Sequence, residues 1–411
     1  MPNPEVIRAQ TSPEDASLFS VGLTNSAFLP EKHIAFSELI RQKLSIEKDN
    51  VKSGGELVFQ FEKESTLLED VDLLVTPSAL AVAGGGTFIR YVDYLAPAVI
   101  KEITWKYGGN TIKSYTGDEI FESILRLEDE KRFNVDKLLL GNLTSASRNS
   151  YALNPTPIRI PIPSVWKDLL CHSAITCGLA NKLQLSIRFQ DVGLLIQTDG
   201  TKPSSVTFSD VHLDYQVIHT TGHLRSEIVS ETLSPDGVSY LIDDQQVFNY
   251  DIEPNALGVG TKKTISLDDF DGPIRSMTVL IRTFDQLDPT SSNPAPYEID
   301  TSFIEGMSYV IKSNGMDLVD QSVTEQDDIK QTDKFYKCKF TTECITWLWE
   351  EFPLAKNCAS GSLTFGNFSN PRVILQNDSL GGVHPRLLIT IIAHRHNWVV
   401  QQGGNYQKVW R

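Results

Sequence analysis

The chain has 411 residues, of which 40% are hydrophobic and 22% charged, with a formal net charge of -15. That length exceeds one ordinary sandwich of about 100 to 200 residues and suits two domains side by side, while the absence of any run of about 18 apolar residues excludes a membrane-spanning helix. The acidic excess repels a phosphate backbone, which argues against nucleic-acid binding through the general surface.

Met1 to Asn25 is polar, carries Pro2, Pro4 and Pro13, and shows no strand alternation, so it reads as an N-terminal extension. Within it, Met1 to Ser20 lacks the basic start and apolar stretch of a secretory signal, and the chain is expected to remain in the cytosol. Gly84-Gly85-Gly86 reads as a turn. Ile103, Trp105 and Tyr107 then alternate with Glu102, Thr104 and Lys106, the period of a strand with one buried face. From Thr116 to Lys131 the pattern turns helical: Thr116 can cap with Glu119, and Ile120, Ile124 and Leu127 share a face. A second helix candidate lies around Pro163 to Leu170.

Leu183, Leu185, Ile187 and Phe189 restore strand alternation, and Val211 to Ile218 continues it after the loop Gly200 to Ser205. Asp288 to Pro296 reads as a loop, Thr341 to Glu351 as a third helix candidate, and Arg386 to Ala393 as a strand covered on both faces. Strands dominate, so the expected fold class is all-β.

The two halves echo each other. Ile103-Thr-Trp-Lys-Tyr-Gly-Gly-Asn110 resembles Met307-Ser-Tyr-Val-Ile-Lys-Ser-Asn-Gly315, and Ala180 to Phe189 resembles Ala359 to Phe365. A repeat at roughly 200 residues indicates duplicated domains and not a solenoid. The expected organisation is an extension over 1–25, a first domain over 26–221 and a second over 222–411, with the boundary near Thr220 to Arg225.

Catalysis needs a nucleophile with its base, a carboxylate pair or a metal cluster. No such set emerges, so no catalytic, cofactor-binding or metal residue is assigned and a non-enzymatic protein is expected. His394 and His396 share a strand face, but without a third ligand they read as an exposed or partly stacked pair. Gly84 to Gly86 lacks the Lys-Ser or Lys-Thr of a phosphate loop. The acidic pairs Asp243-Asp244, Asp268-Asp269 with Asp271, and Asp327-Asp328 lack the EF-hand pattern and read as solvated loops. Glu62 with Glu64, and Asp70 with Asp72, read as solvent-facing strand carboxylates, and Trp347, Trp349 and Phe352 as packing aromatics. Cys171, Cys177, Cys338, Cys344 and Cys358 are odd in number and lack zinc-ligand spacing, so reduced and mostly buried thiols are expected. The sequons at Asn142, Asn367 and Asn377 read as chance matches.

Several segments, in order, resemble one family. Phe88-Ile-Arg-Tyr-Val-Asp-Tyr-Leu95 with Ile100 to Asn110 is similar to its strand and Gly-Gly turn, and Ile158-Arg-Ile-Pro-Ile-Pro-Ser-Val-Trp166 to its proline-then-aromatic segment. Ser360-Gly-Ser-Leu-Thr-Phe-Gly-Asn-Phe-Ser-Asn370 resembles its Ser-Gly-Ser strand, and Leu387 to Ala393 with His396-Asn-Trp-Val-Val-Gln-Gln-Gly-Gly404 its last strand and Gly-rich end. The family is that of the double jelly-roll major capsid proteins of nucleocytoplasmic large DNA viruses and their virophage and polinton-like relatives.

The resemblance implies two tandem eight-stranded jelly rolls with a few short helices, and a homotrimer with a pseudo-hexagonal outline in the icosahedral shell of a double-stranded DNA virus. It implies assembly in the host cytoplasm, with neighbouring capsomers and minor capsid and penton proteins as partners; a membrane beneath the shell is compatible with it. Loops of the second half, and that between Gly84 and Tyr94, are the expected outer or inter-capsomer surfaces. The competing readings are a tandem jelly roll that binds or cleaves carbohydrate, and a minor capsid or vertex subunit of the same fold.

Overall fold

The structure is a computed structural model that describes residues 39–63, 65–125, 136, 139–164, 174–220, 222–254, 261–298, 307–313, 316–321, 345–348, 362–377 and 385–408. Outside them lie the extension 1–25, Glu64, Asp327, Asp328, Trp349, Phe352, Cys171, Cys338, Cys344 and Cys358, along with the ends of the helices expected over 116–131 and 163–170.

The first half contributes β1 (Leu39–Lys48), β2 (Val51–Lys52), β3 (Glu56–Gln60), β4 (Leu67–Pro77), β5 (Ile89–Tyr91), β6 (Ile100–Tyr107), β7 (Asn110–Tyr115), β8 (Ile158–Pro161), β9 (Ala174–Ile175), β10 (Leu183–Phe189), β11 (Ile196–Thr198) and β12 (Thr207–Thr220). One sheet runs β1-β12-β4-β8, with β2 on β12 and β9 on β4, and the facing sheet runs β3-β10-β6-β7. In β4, Val71, Leu73 and Val75 turn inward while Asp72, Leu74 and Thr76 do not, and in β12 Val211, Leu213, Tyr215 and Val217 do the same. This period of two is what lets each sheet bury one face. The first strand pairs with the last and β3 with β10, all antiparallel, so the chain is a long hairpin wrapped upon itself: a jelly roll.

After the helix Gly222–Leu233 the second half supplies β13 (Val238–Ile252), β14 (Lys262–Ser266), β15 (Ile274–Thr283), β16 (Met307–Ser313), β17 (Met316–Gln321), β18 (Ile345–Leu348), β19 (Arg372–Asn377), β20 (Leu387–Gln402) and β21 (Asn405–Lys408). Its sheets run β13-β20-β15-β18, with β21 on β20, and β14-β19-β16-β17. Taken in chain order, the principal strands occupy the same places as in the first sandwich. The fold is therefore duplicated.

Two expectations change. Thr341 to Glu351 reads as helical, yet Ile345–Leu348 is the strand β18, paired with Ser276 to Val279 of β15. A β-branched and aromatic Ile-Thr-Trp suits a pleated edge, and pairing to β15 decides the matter. The first internal echo corresponds to a real equivalence, the β6–β7 hairpin matching β16–β17; Gly108 and Gly109 have φ of 56° and 86°, as its two-residue turn requires. The second echo does not hold, because the partner of β10 in the second sandwich is β19, whereas Leu363 forms an isolated bridge to Ile274. Short alternation alone cannot distinguish two neighbouring strands.

Other expectations stand as read. Gly117–Leu125 is a helix with Ile120 and Ile124 buried, and Cys177 is a buried free thiol. The strand expected from Arg386 to Ala393 is covered throughout from Leu387 on, apart from the half-buried Leu388. Ile389, Ile391 and Ala393 enter the core of the second sandwich, while the intervening Ile392 joins the core cluster of the first. Ile242, Leu280, Tyr297 and Val399 join it too, so the sheet β13-β20-β15 is sandwiched between its own core and the other domain.

Candidate functional site

With both cores built from ordinary aliphatic and aromatic packing, the chemically unusual part of the molecule is the seam between them. The helix Gly117–Leu125 is buried over most of its circumference, including Glu119 and Glu122. Carboxylates so far from water need partners, because an isolated buried charge costs several kcal/mol or more. The second sandwich provides those of Glu122 and of the neighbouring Asp118, while Lys113 and the Thr116 N–H of the first sandwich meet Glu119.

Asp118 accepts two hydrogen bonds of 2.7 Å from Arg282 of β15, whose guanidinium also reaches Pro296 O at 3.2 Å and Thr390 Oγ1 at 2.7 Å. Burial works against the Arg282 charge and Asp118 more than offsets it, leaving its pKa raised. Burial and then the Asp118 carboxylate push the neighbouring Tyr297 phenol well above its ordinary value. One turn on, Glu122 accepts from Thr278 Oγ1 at 2.8 Å, and its other oxygen lies 3.2 Å from His394 Nε2.

A second knot surrounds Asp244, which is 1% exposed. Its Oδ2 accepts from Arg395 Nε at 2.9 Å, Arg395 Nη2 at 2.8 Å and Asn397 Nδ2 at 2.9 Å, all from β20, while Lys113 Nζ of β7 crosses from the first sandwich to stand 3.2 Å from Oδ1. Lys113 also donates to Gln245 O and lies 3.8 Å from Glu119. Glu119 accepts the Thr116 backbone N–H at 2.6 Å, which is the carboxylate half of the expected cap. The hydroxyl half does not form, since Thr116 Oγ1 is buried without a hydrogen bond. Burial pushes the Glu119 carboxyl up to about 7, against the pull of Lys113.

The seam is closed at one side by the C-terminal hairpin. Tyr107 donates to Gly404 O and accepts from Asn181 N at 3.0 Å, and its ring meets Tyr406 edge-on at 5.4 Å.

Two sequence readings are corrected here. His394 and His396 are buried and not exposed, because β20 lies between two domains. Asp244 sits in a strand interior and not in a solvated loop, unlike Asp268, Asp269 and Asp271, which are exposed. Glu62 forms an exposed ion pair with Lys182, and Asp72 pairs with Arg159 on the sheet surface. Among the described residues no group of three His, Cys, Asp or Glu is placed to hold a metal. Sequence reasoning missed Lys113, Asp118, Glu122 and Arg282. The available signal was Thr390 within, and His394 directly after, the otherwise aliphatic run Leu387 to Ala393, which implies buried partners elsewhere.

Against solved structures the arrangement is widely matched. PBCV-1 VP54, fitted into a cryo-EM reconstruction of the virophage Sputnik, superposes with a TM-score of 0.67 at 12% identity, over 96% of this chain and 100% of that one. The Faustovirus major capsid protein gives 0.66 at 9% identity over 97% of each chain. The chain has the double jelly-roll fold of these capsid proteins. The Sputnik virophage structure determined by cryo-EM shares the double jelly roll too, with a TM-score of 0.57 at 10% identity over 94% of this chain and 92% of that one. No protein-family model and no curated protein matches the chain.

Proposed function

We propose that this chain is a non-enzymatic major capsid protein, three copies of which close into a pseudo-hexameric capsomer of an icosahedral double-stranded DNA virus shell. The observation that carries the reading is the duplication: two jelly rolls with the same strand order, joined by a buried seam into one unit. Three such chains present six comparable sandwiches around an axis, an outline that tiles a flat facet with six neighbours. Wrapped jelly rolls suit a shell because short, protected strand edges limit uncontrolled edge-to-edge addition, leaving assembly to loops and side faces. The likeness over nearly the whole chain to VP54 and to the Faustovirus major capsid protein supports the same role.

In this reading the domains are 26–221 and 222–411, and residues 1–25 are an extension that contacts a neighbouring or minor capsid protein. Neighbouring capsomers are the principal partners, penton proteins close the vertices, and the protein resides in the virion after assembly in the host cytoplasm. An obligate trimer buries at least about 2,000 Å² at its interface.

Light scattering over a dilution series tests the proposal. A stable species near three times the 45.9 kDa chain mass is expected, with ordered arrays visible by electron microscopy. A strict monomer that also binds glycans in a screen would overturn it in favour of the carbohydrate reading. Removing residues 1–25 is expected to preserve the trimer and impair growth of the shell.

A further inference from the structure

We propose that Arg90 and Arg148 form an oxyanion-binding site, which takes one carboxylate or phosphate group at the junction of the β5–β11 ribbon with the helix Ser145–Leu153. The two arginines converge on a single neutral atom. Arg90 Nε donates to Gln197 Oε1 at 2.7 Å and Arg148 Nη1 donates to the same oxygen at 3.1 Å. Arg90 and Gln197 are directly opposed across the ribbon, and the Gln197 amide nitrogen donates to Pro294 O at 2.8 Å, which fixes the orientation of the amide. An amide oxygen has two lone pairs, so it is now saturated.

What remains is a pair of guanidinium groups with no carboxylate bonded directly to either. Each guanidinium carries five N–H donors, and among the described residues those of Arg90 and Arg148 find no carboxylate at ion-pair distance. Arg148 is 8% exposed, and its Nε is buried with no hydrogen-bond partner. Asp93 and Glu298 act on the pair only through space: Asp93 is engaged by the Leu143 N–H at 3.1 Å. Elsewhere in the molecule buried guanidinium groups are matched with carboxylates, Arg282 with Asp118 and Arg395 with Asp244. Here a glutamine stands in that place.

Two cations held this close repel each other, and the repulsion grows as water is excluded. Planar forks with spare parallel N–H groups are the usual recognition element for the two oxygens of a carboxylate or phosphate. Access is from the side of Arg90, which is half-buried and lies over the Phe88 ring at 4.9 Å. The strand β5 that carries Arg90 belongs to the segment between Gly84 and Tyr94, for which the proposed capsid function, on which this point rests, expects an outer or inter-capsomer surface, so the oxyanion is either an Asp or Glu of a second copy or a free phosphate.

The test uses the full-length protein and inorganic phosphate, titrated against sodium chloride at matched ionic strength, with thermal unfolding as the readout. Phosphate is expected to raise Tm beyond chloride in the wild type. The rise should be lost in Arg90→Gln and in Arg148→Gln, with phosphate binding about tenfold weaker or more, and kept in Arg188→Gln, an exposed arginine elsewhere. Because Arg90 is half-buried, its variant remains informative should Arg148→Gln fail to fold. Equal phosphate responses in the wild type and Arg90→Gln, or no response beyond chloride, would overturn the proposal. Light scattering on the same samples separates the sources: phosphate that lowers the assembled mass identifies a second copy's carboxylate as the occupant, and unchanged mass identifies a free oxyanion.

Discussion

Asp118 and Arg282 face each other through two 2.7 Å hydrogen bonds, one residue from each jelly roll, with the arginine 3% exposed and the aspartate 20%. A pair this enclosed is strongly asymmetric in its energetics. Removing the arginine alone in Arg282→Met leaves a largely enclosed carboxylate without its cation, and a loss of about 3 kcal/mol is expected. Replacing both, as Asp118→Leu with Arg282→Met, should return most of that loss, because the desolvation cost disappears with the charges. Urea unfolding of the four proteins of the cycle measures it. A loss in the double variant equal to the sum of the two single losses would mean that the pair is not coupled.

Glu119 gives the seam a pH dependence of defined sign. Burial raises its pKa from 4.5 to about 7, opposed by Lys113, the Thr116 N–H and His394 and reinforced by Asp118. The folded chain thus holds this proton more tightly than the unfolded chain does. Its contribution favours folding fully below about pH 4.5 and is lost as pH rises through about 7. In Glu119→Gln the neutral form persists at every pH, so stability relative to the wild type should improve by up to about 3 kcal/mol from pH 4.5 to pH 8. Groups remote from Glu119 contribute alike to both proteins, which makes the difference between the two urea-midpoint profiles the quantity to read. Parallel profiles would show that the Glu119 proton is not the source.

How much of this was legible beforehand follows from what each residue touches. Strands such as Leu183–Phe189 announce themselves because half of their residues meet a local core and half meet water. The duplication was legible through the Gly-Gly turn at 108–109, whose backbone geometry few other residues supply. His394 was misjudged because its environment is set by Glu122, 272 positions away in sequence, and no local period encodes such a contact. Ile345–Leu348 was misread for a similar reason: it is a strand by virtue of β15, not of its own pattern. The arginine pair was equally hidden, since Arg90 and Arg148 meet only because Gln197 joins their separate elements.

The C-terminal hairpin offers a local test of the seam. The Tyr107 hydroxyl bridges Gly404 O and Asn181 N, and Tyr406 donates to Ile175 O at 2.6 Å. Tyr107→Phe removes one hydroxyl from a site where Gly404 O keeps a second donor, Ala180 N at 3.2 Å, and should cost about 1 kcal/mol. Tyr406→Ala removes a ring as well and should cost about 2 to 3 kcal/mol. Hydrogen exchange at residues 403–408 should accelerate in both variants and more in the second, whereas unchanged exchange would mean that the hairpin is held by its β20 pairing alone.

The seam also decides how the molecule unfolds. Ile242, Leu280, Tyr297, Ile392 and Val399 belong to the second jelly roll by sequence and to the core of the first by packing. A chain ending at residue 221 would expose the apolar surface that these residues cover and strand Asp118 without Arg282, Lys113 without Asp244, and Glu122 without Thr278 and His394. A chain beginning at residue 222 would expose the outer face of β13, β20 and β15 to water. Neither half has a self-contained set of partners, so each is expected to aggregate or remain partly unfolded when produced alone. The intact chain should unfold in one calorimetric transition, with the calorimetric enthalpy equal to the van't Hoff value. Two resolved transitions would show that the seam joins the jelly rolls without coupling them, and Arg282→Met is the variant in which such a separation should first emerge, because it weakens the seam while leaving both hydrophobic cores intact.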